Sequence, residues 1–138
     1  MAGAGAAGGL GGAFQACCPS STKRGIDVVI EMTKLDEHLQ DADLVFTGEG
    51  QTDAQTASGK APMGIAQVAQ QLGVPVIVLS GSVGQGIETL YEVGMTSIHS
   101  IVNGPMSLED AMKRTPELLA QKAEQVMRTF LAGRKLIE

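Results

Sequence analysis

Two carboxylates and a lysine stand close together in the stretch from Thr47 to Gly64: Glu49, Asp53 and Lys60. Gly48, Gly50 and Gly59 lie among them, with a string of hydroxyls and amides that includes Gln51, Thr52, Gln55, Thr56 and Ser58. Residues of these types can hold an anion and a metal. Glu49 or Asp53 could ligate Mg²⁺ or accept a hydroxyl proton. Lys60 precedes Pro62, the expected opening of a helix, where helix dipole and ammonium act together on an anion. The glycines let backbone approach a ligand closely. Plainer roles stay open beside these. Asp53 could form a turn or a cap, Glu49 could pair with Lys60, and Lys60 could be a solvated lysine at a helix end. That last role is awkward, because a cation beside the positive end of a helix is unfavourable unless an anion joins it.

Two further glycine-rich stretches bear on the same chemistry. Gly3-Ala4-Gly5-Ala6-Ala7-Gly8 fits G-x-G-x-x-G, a pattern that carries meaning only after a strand, and none is read before it here. A glycine-rich helix start packed closely against another element is the plainer reading, and a phosphate-facing loop the alternative. Gly81-Ser82-Val83-Gly84-Gln85-Gly86 is read as a turn at a strand's carboxyl end. Ser58-Gly59-Lys60 has the tail of a phosphate-binding P-loop, but Ala54 and Ala61 occupy positions that a P-loop gives to glycine and to serine or threonine. It is not a P-loop. The adjacent Cys17 and Cys18 match no metal or redox spacing and read as free thiols of a reducing cytosol. His38 and His99 have no nucleophile at a telling spacing and read as structural, and Met106 and Met112 read as core.

The elements that must position these residues follow from the apolar pattern. Strands are expected at 26–30, 42–47, 74–79 and 96–102, with helices at about 34–40, 62–72, 87–92 and from Thr115 onward. Thr33 with Asp36 and Ser107 with Asp110 resemble capping boxes. On the last helix Leu119, Ala123, Val126 and Phe130 form the expected apolar stripe, flanked by Leu118, Met127 and Leu131. Alternating strands and helices imply an α/β fold, an open parallel sheet with Rossmann-like three-layer crossovers, in one domain over residues 1–138. The loops 48–61, 81–86 and 103–106 would then converge beyond the carboxyl ends of the strands, where such sheets bind ligands.

Composition narrows the class. Hydrophobic residues make up 43% of the 138, but aromatics only 3%, so the core is aliphatic. The net charge of −5, with no basic stripe, argues against a nucleic-acid partner. No stretch is long and apolar enough to span a bilayer, and no basic leader precedes Lys23, so the chain reads as cytoplasmic.

The run from Asp41 through Thr56, continued by Gly59-Lys60-Ala61-Pro62-Met63-Gly64, resembles the signature of the bacterial glycerate kinase family. The resemblance extends upstream through Gly3 to Gly11 and Gly25-Ile26-Asp27, and downstream through Pro75 to Ser82. It implies part of a two-domain α/β kinase that uses ATP and Mg²⁺ to convert D-glycerate to 2-phosphoglycerate in the cleft between its domains. On it, Asp53 would be the base or positioner facing the hydroxyl, Lys60 would hold phosphate or the glycerate carboxylate, and Glu49 would contact Mg²⁺ or the hydroxyl. Asp53 is the second metal candidate. Gly48, Gly50, Gln51, Gln55, Thr56, Ser58 and Gly59 would surround the substrate, and Gly3, Gly5, Gly8, Gly81 and Ser82 the nucleotide phosphates. Gln51 departs from the basic residue usual there. Family chains are much longer, and this one resembles their carboxy-terminal portion alone. Two alternatives therefore stand beside the kinase. One is a non-catalytic truncated domain whose exposed sheet edge favours homo-oligomers, and the other is a generic nucleotide-binding domain.

Overall fold

The computed structural model describes residues 4–19 and 21–135. Three parallel strands, β1 (Val45–Thr52), β2 (Val76–Val83) and β3 (Ser97–Ser100), form an open sheet in the order β1-β2-β3. The helices are α1 (Leu10–Cys17), α2 (Gly25–Thr33), α3 (Leu35–Leu39), α4 (Ala61–Gln71), α5 (Glu88–Glu92), α6 (Leu108–Lys113) and α7 (Thr115–Arg134). Short 3-10 helices cover Ala6–Gly9 and Ala54–Ser58.

Alternation along β2 separates two cores. Val76 and Val78 point to one face, where Leu39, Ala66, Ala69, Leu90 and Met95 from α3, α4, α5 and the turn after it close over them. Ile77 and Leu79 point to the other, against Ile101 and against Leu118 and Val126 of α7. A strand buried on both faces reads as one continuous apolar run, which is why β2 is the plainest element in the sequence. The α/β class, parallel sheet and layered helices match expectation.

Several elements differ from it. Ile26–Ile30 is not a strand but the body of α2. Its β-branched residues favour strand locally, yet Ile26 and Ile30 are one helical turn apart and both meet Gly64 on α4. A Cβ on Gly64 would collide with Ile26 Cγ1 and lie 3.2 Å from Ile30 Cδ1, so a bare glycine permits this crossing. The Thr33–Asp36 capping box does not form. Lys34 takes the cap position with φ +53°, and the Thr33 hydroxyl donates back to the Val29 carbonyl at 2.8 Å. Ser107, by contrast, does cap α6, accepting from the Asp110 N–H at 3.1 Å.

Of the stripe expected on α7, Val126 is nearly buried and Ala123 packs against the same core, but Leu119 is exposed and its neighbour Leu118, expected at the flank, is fully buried in its place. Met112 is exposed too, not core. The glycine-rich opening forms the 3-10 turn leading into α1, which packs mainly on that turn and leaves Leu10 and Phe14 exposed.

Candidate functional site

The strands β1 and β2 run further than their apolar cores suggest. Gly48, Glu49, Gly50 and Gln51 belong to β1, and Gly81 and Ser82 to β2, so the stretches expected as loops begin as paired strand. Glycine has a specific reason here. A Cβ on Gly48 would run into the carbonyl oxygen of Leu79, and one on Gly81 would lie 2.6 Å from the carbonyl oxygen of Gly50. These two glycines make room for the neighbouring strand. Gly50 itself faces open space.

Beyond the strand, Asp53 caps the 3-10 helix Ala54–Ser58. Its Oδ1 accepts from the Gln55 N–H at 2.9 Å, and its own N–H donates to Thr56 Oγ1 at 3.2 Å, closing a capping box. Oδ2 accepts from Gln51 Nε2 at 2.9 Å. Gly59 then takes φ +96°, a left-handed conformation suited to glycine, and Lys60 becomes the cap residue of α4.

This path folds Lys60 back over β1. Lys60 Nζ lies 3.1 Å from Glu49 Oε2 and 3.5 Å from the carbonyl of Gln51. The Glu49 side chain is 13% exposed and that of Lys60 41%. Glu49 Oε1 accepts from the hydroxyls of Thr56 at 2.6 Å and Thr52 at 3.1 Å. The Thr52 hydroxyl also touches that of Ser80 on β2. Thr52, Thr56 and Ser80 are completely buried. A partly buried carboxylate thus has three donors, which is how proteins make such a charge tolerable.

The carboxyl ends of the strands converge as expected. Gly84 N–H donates to the Thr52 carbonyl at 2.8 Å and Ala54 N–H to the Gln85 carbonyl at 3.3 Å. A groove of about 910 Å³ opens between the sheet and the α6–α7 corner, with Leu79, Ile101, Met106 and Leu119 among its walls. Of the residues nominated from sequence, Gly48, Glu49, Gly50, Gly81 and Ser82 line it. Asp53, Thr56, Gly59 and Lys60 are gathered instead around the turn above α4. Gln55 and Ser58 are exposed there, while Thr56, nominated at the substrate, is buried with its one proton given to Glu49. Gly3 lies outside the described residues, and Gly5 and Gly8 face open space in the opening turn. Thr52 and Ser80 were not nominated. The only hint in the sequence was a hydroxyl at the end of an apolar run, which signals little by itself.

The family model for the glycerate kinase family matches residues 1–131. The chain belongs to the glycerate kinase family. It is 45% identical over 124 residues to a glycerate kinase of Halalkalibacterium halodurans, which covers 90% of this chain and 33% of that protein. It is 34% identical to the glycerate 2-kinase of Escherichia coli K12, over 95% of this chain and 34% of that one. Among solved structures, one described as a glycerate kinase 2 from Salmonella typhimurium LT2 superposes with a TM-score of 0.71 at 39% identity. It covers 97% of this chain and 33% of that one. The chain therefore spans about a third of the length of the glycerate kinases it matches.

The donor set can be weighed against Mg²⁺. Among the described residues no three or more His, Cys, Asp or Glu side chains gather to hold a metal. Mg²⁺ needs less than that, since it keeps several waters and is commonly held by one or two carboxylates plus phosphate oxygens. Each Asp53 oxygen takes one donor and retains acceptor capacity. Glu49 is more fully engaged. No helix among the described residues is long and apolar enough to cross a membrane.

Proposed function

We propose that this chain forms one wall of a phosphoryl-transfer site of the glycerate kinase type, and that alone it folds and binds without turning substrate over. In the full site the γ-phosphoryl group of ATP would pass to a hydroxyl of D-glycerate, giving 2-phosphoglycerate. The observation that carries the reading is the Glu49–Lys60 pair, held by two buried hydroxyls at the carboxyl end of a parallel strand. An ammonium has three donors, and this one uses one on Glu49 and a long one on Gln51, leaving capacity for an oxygen of phosphate or carboxylate. Asp53 would hold Mg²⁺ together with ligand oxygens, Glu49 being the second candidate. The ion would supply neutralisation of phosphate charge.

The wall is one-sided. Among the described residues no lysine or arginine lines the groove beside Gly81 and Ser82, whereas transfer from a triphosphate calls for several converging cations and donors. On this reading the chain corresponds to the carboxy-terminal portion of a longer two-domain kinase, and the missing groups come from the rest of that fold. A second reading, in which the chain itself is an ATP-dependent glycerate kinase, draws on its family membership. A coupled assay with ATP, Mg²⁺ and D-glycerate separates the two. The proposal expects no turnover above background and weak Mg²⁺-dependent binding of ATP or glycerate by calorimetry. Sustained formation of 2-phosphoglycerate by the purified chain would establish the second reading instead.

A further inference from the structure

Proton counting around Glu49 fixes the direction of each hydrogen bond there. An ionised carboxylate only accepts, and a hydroxyl has one proton to give. Thr56 spends its proton on Glu49 Oε1 at 2.6 Å, so its oxygen is the acceptor for the Asp53 N–H at 3.2 Å. Thr52 spends its proton on the same oxygen at 3.1 Å, so in its contact with Ser80 the serine is the donor. Two lines of donors therefore end on one atom. One runs from Ser80 through Thr52, the other from the Asp53 backbone through Thr56. Oε1 is engaged twice, and Oε2 is left to Lys60. All three hydroxyl residues are completely buried, so water does not compete for these positions.

Resting on the phosphoryl-transfer reading above, we propose that Thr56 is a positioning residue for the Glu49–Lys60 pair, with Thr52 and Ser80 as its support. By occupying Oε1 the hydroxyls stop the carboxylate from rotating, and the ammonium is held at one place at the open side of the turn. The Thr56 hydroxyl also ties the Asp53 backbone to the Glu49 side chain, so the two acidic residues move as one body. Thr56→Val keeps the shape and removes both functions of the hydroxyl. Glu49 loses its shorter donor, and the part-buried Asp53 N–H loses its acceptor.

The test reads Lys60 directly. Trace acetylation of the purified chain, followed by peptide mass spectrometry, gives the reactivity of Lys60 relative to that of Lys135. Glu49→Gln sets the value for an unpaired lysine. Thr56→Val is expected to raise Lys60 labelling severalfold toward that value, while Thr56→Ser, which restores the hydroxyl, returns it to that of the unmutated chain. Labelling of Thr56→Val at the unmutated rate, with Glu49→Gln labelling fast, overturns the proposal. So does a Glu49→Gln variant that leaves Lys60 unchanged, because the pair then does not hold the lysine in solution. If Thr56→Val does not fold, the unmutated chain carries the test. Its Thr56 hydroxyl proton is expected in the NMR spectrum, slow to exchange with water and close to the Glu49 side chain; rapid exchange rejects the proposal. None of these readouts needs turnover. A chain that binds neither ATP nor glycerate would sink the phosphoryl-transfer reading and leave the positioning role standing, and unmutated labelling in Thr56→Val would sink the positioning role and leave that reading standing.

Discussion

Lys60 Nζ sits 3.1 Å from Glu49 Oε2, so the cation at the amino end of α4 is neutralised by a carboxylate from the end of β1. A lysine in that cap position is disfavoured by the helix dipole, and Glu49 is the anion that offsets it. The two partners differ in their dependence on each other. Glu49 is largely enclosed and keeps only its two threonine donors if the lysine goes, whereas Lys60 can turn to water. Lys60→Met is therefore expected to cost about 1–2 kcal/mol, and Glu49→Gln about 0.5 kcal/mol, between the limits for buried and exposed pairs. Urea unfolding of both variants gives the order directly. Equal or inverted losses contradict this account of the pair.

The strand glycines make a second matched pair. At Gly48 a Cβ meets the backbone carbonyl of Leu79, an atom that no rotamer change can move aside. Gly48→Ala is expected to lower stability by about 2–3 kcal/mol, as overpacking against a rigid neighbour does. Gly50, two residues on, faces open space. Gly50→Ala should change the melting temperature by a degree or two at most. If both substitutions prove harmless, the close approach of β1 and β2 is not a requirement of the fold.

Much of this arrangement was legible in the sequence, for reasons that differ by element. Pro62 and Pro116 mark helix openings because their fixed φ suits a first turn, and both lie there. The run Val76–Leu79 declares a strand buried on both faces. The pairing of Glu49 with Lys60 was one of the open readings, and the structure makes it. What sequence could not show depends on neighbours. Ile26–Ile30 has strand-like residues, yet packing against Gly64 makes it helix. Gly48 to Thr52 looks like a loop because glycine and polar residues weaken any local strand preference. Its strand character comes from pairing with Ser80, Ser82 and Val83, far away in the chain. The Thr52–Ser80 contact depends on that same register and carries no local signal.

His99 on β3 offers a pH-dependent prediction. Burial, and then the charge of Lys122 on α7, hold its imidazole below the ordinary histidine range, and its Nε2 lies 3.1 Å from Ser97 Oγ. The folded chain therefore resists protonation that the unfolded chain accepts near its ordinary value of about 6.5. As pH falls through that value, the unfolded state gains a proton that the folded state declines, and stability drops. The drop ends once pH passes the lowered folded value. Carboxylates held low by arginines, such as Asp27 and Glu117, act only at more acidic pH. Urea midpoints between about pH 7.5 and 5 should slope less steeply in His99→Gln, and less steeply by a smaller amount in Lys122→Gln. An unchanged slope in His99→Gln would assign the acid sensitivity elsewhere.

Asp53 has a structural duty in the geometry and a proposed chemical one, and two substitutions tell them apart. As a cap it accepts the Gln55 N–H and, through Oδ2, the Gln51 amide. Asparagine retains the cap oxygen and gives up the charge; alanine gives up both. If the cap alone matters, Asp53→Asn stays near the unmutated stability and ligand affinity, while Asp53→Ala loses about 1 kcal/mol. If Asp53 also holds Mg²⁺ against phosphate oxygens, Asp53→Asn keeps its stability but loses most Mg²⁺-dependent ATP binding by calorimetry, because a neutral amide is a far poorer ligand for a hard cation. We expect the second outcome. Asp53→Asn binding Mg²⁺ and ATP as tightly as the unmutated chain would leave Asp53 as a cap and return the metal role to Glu49.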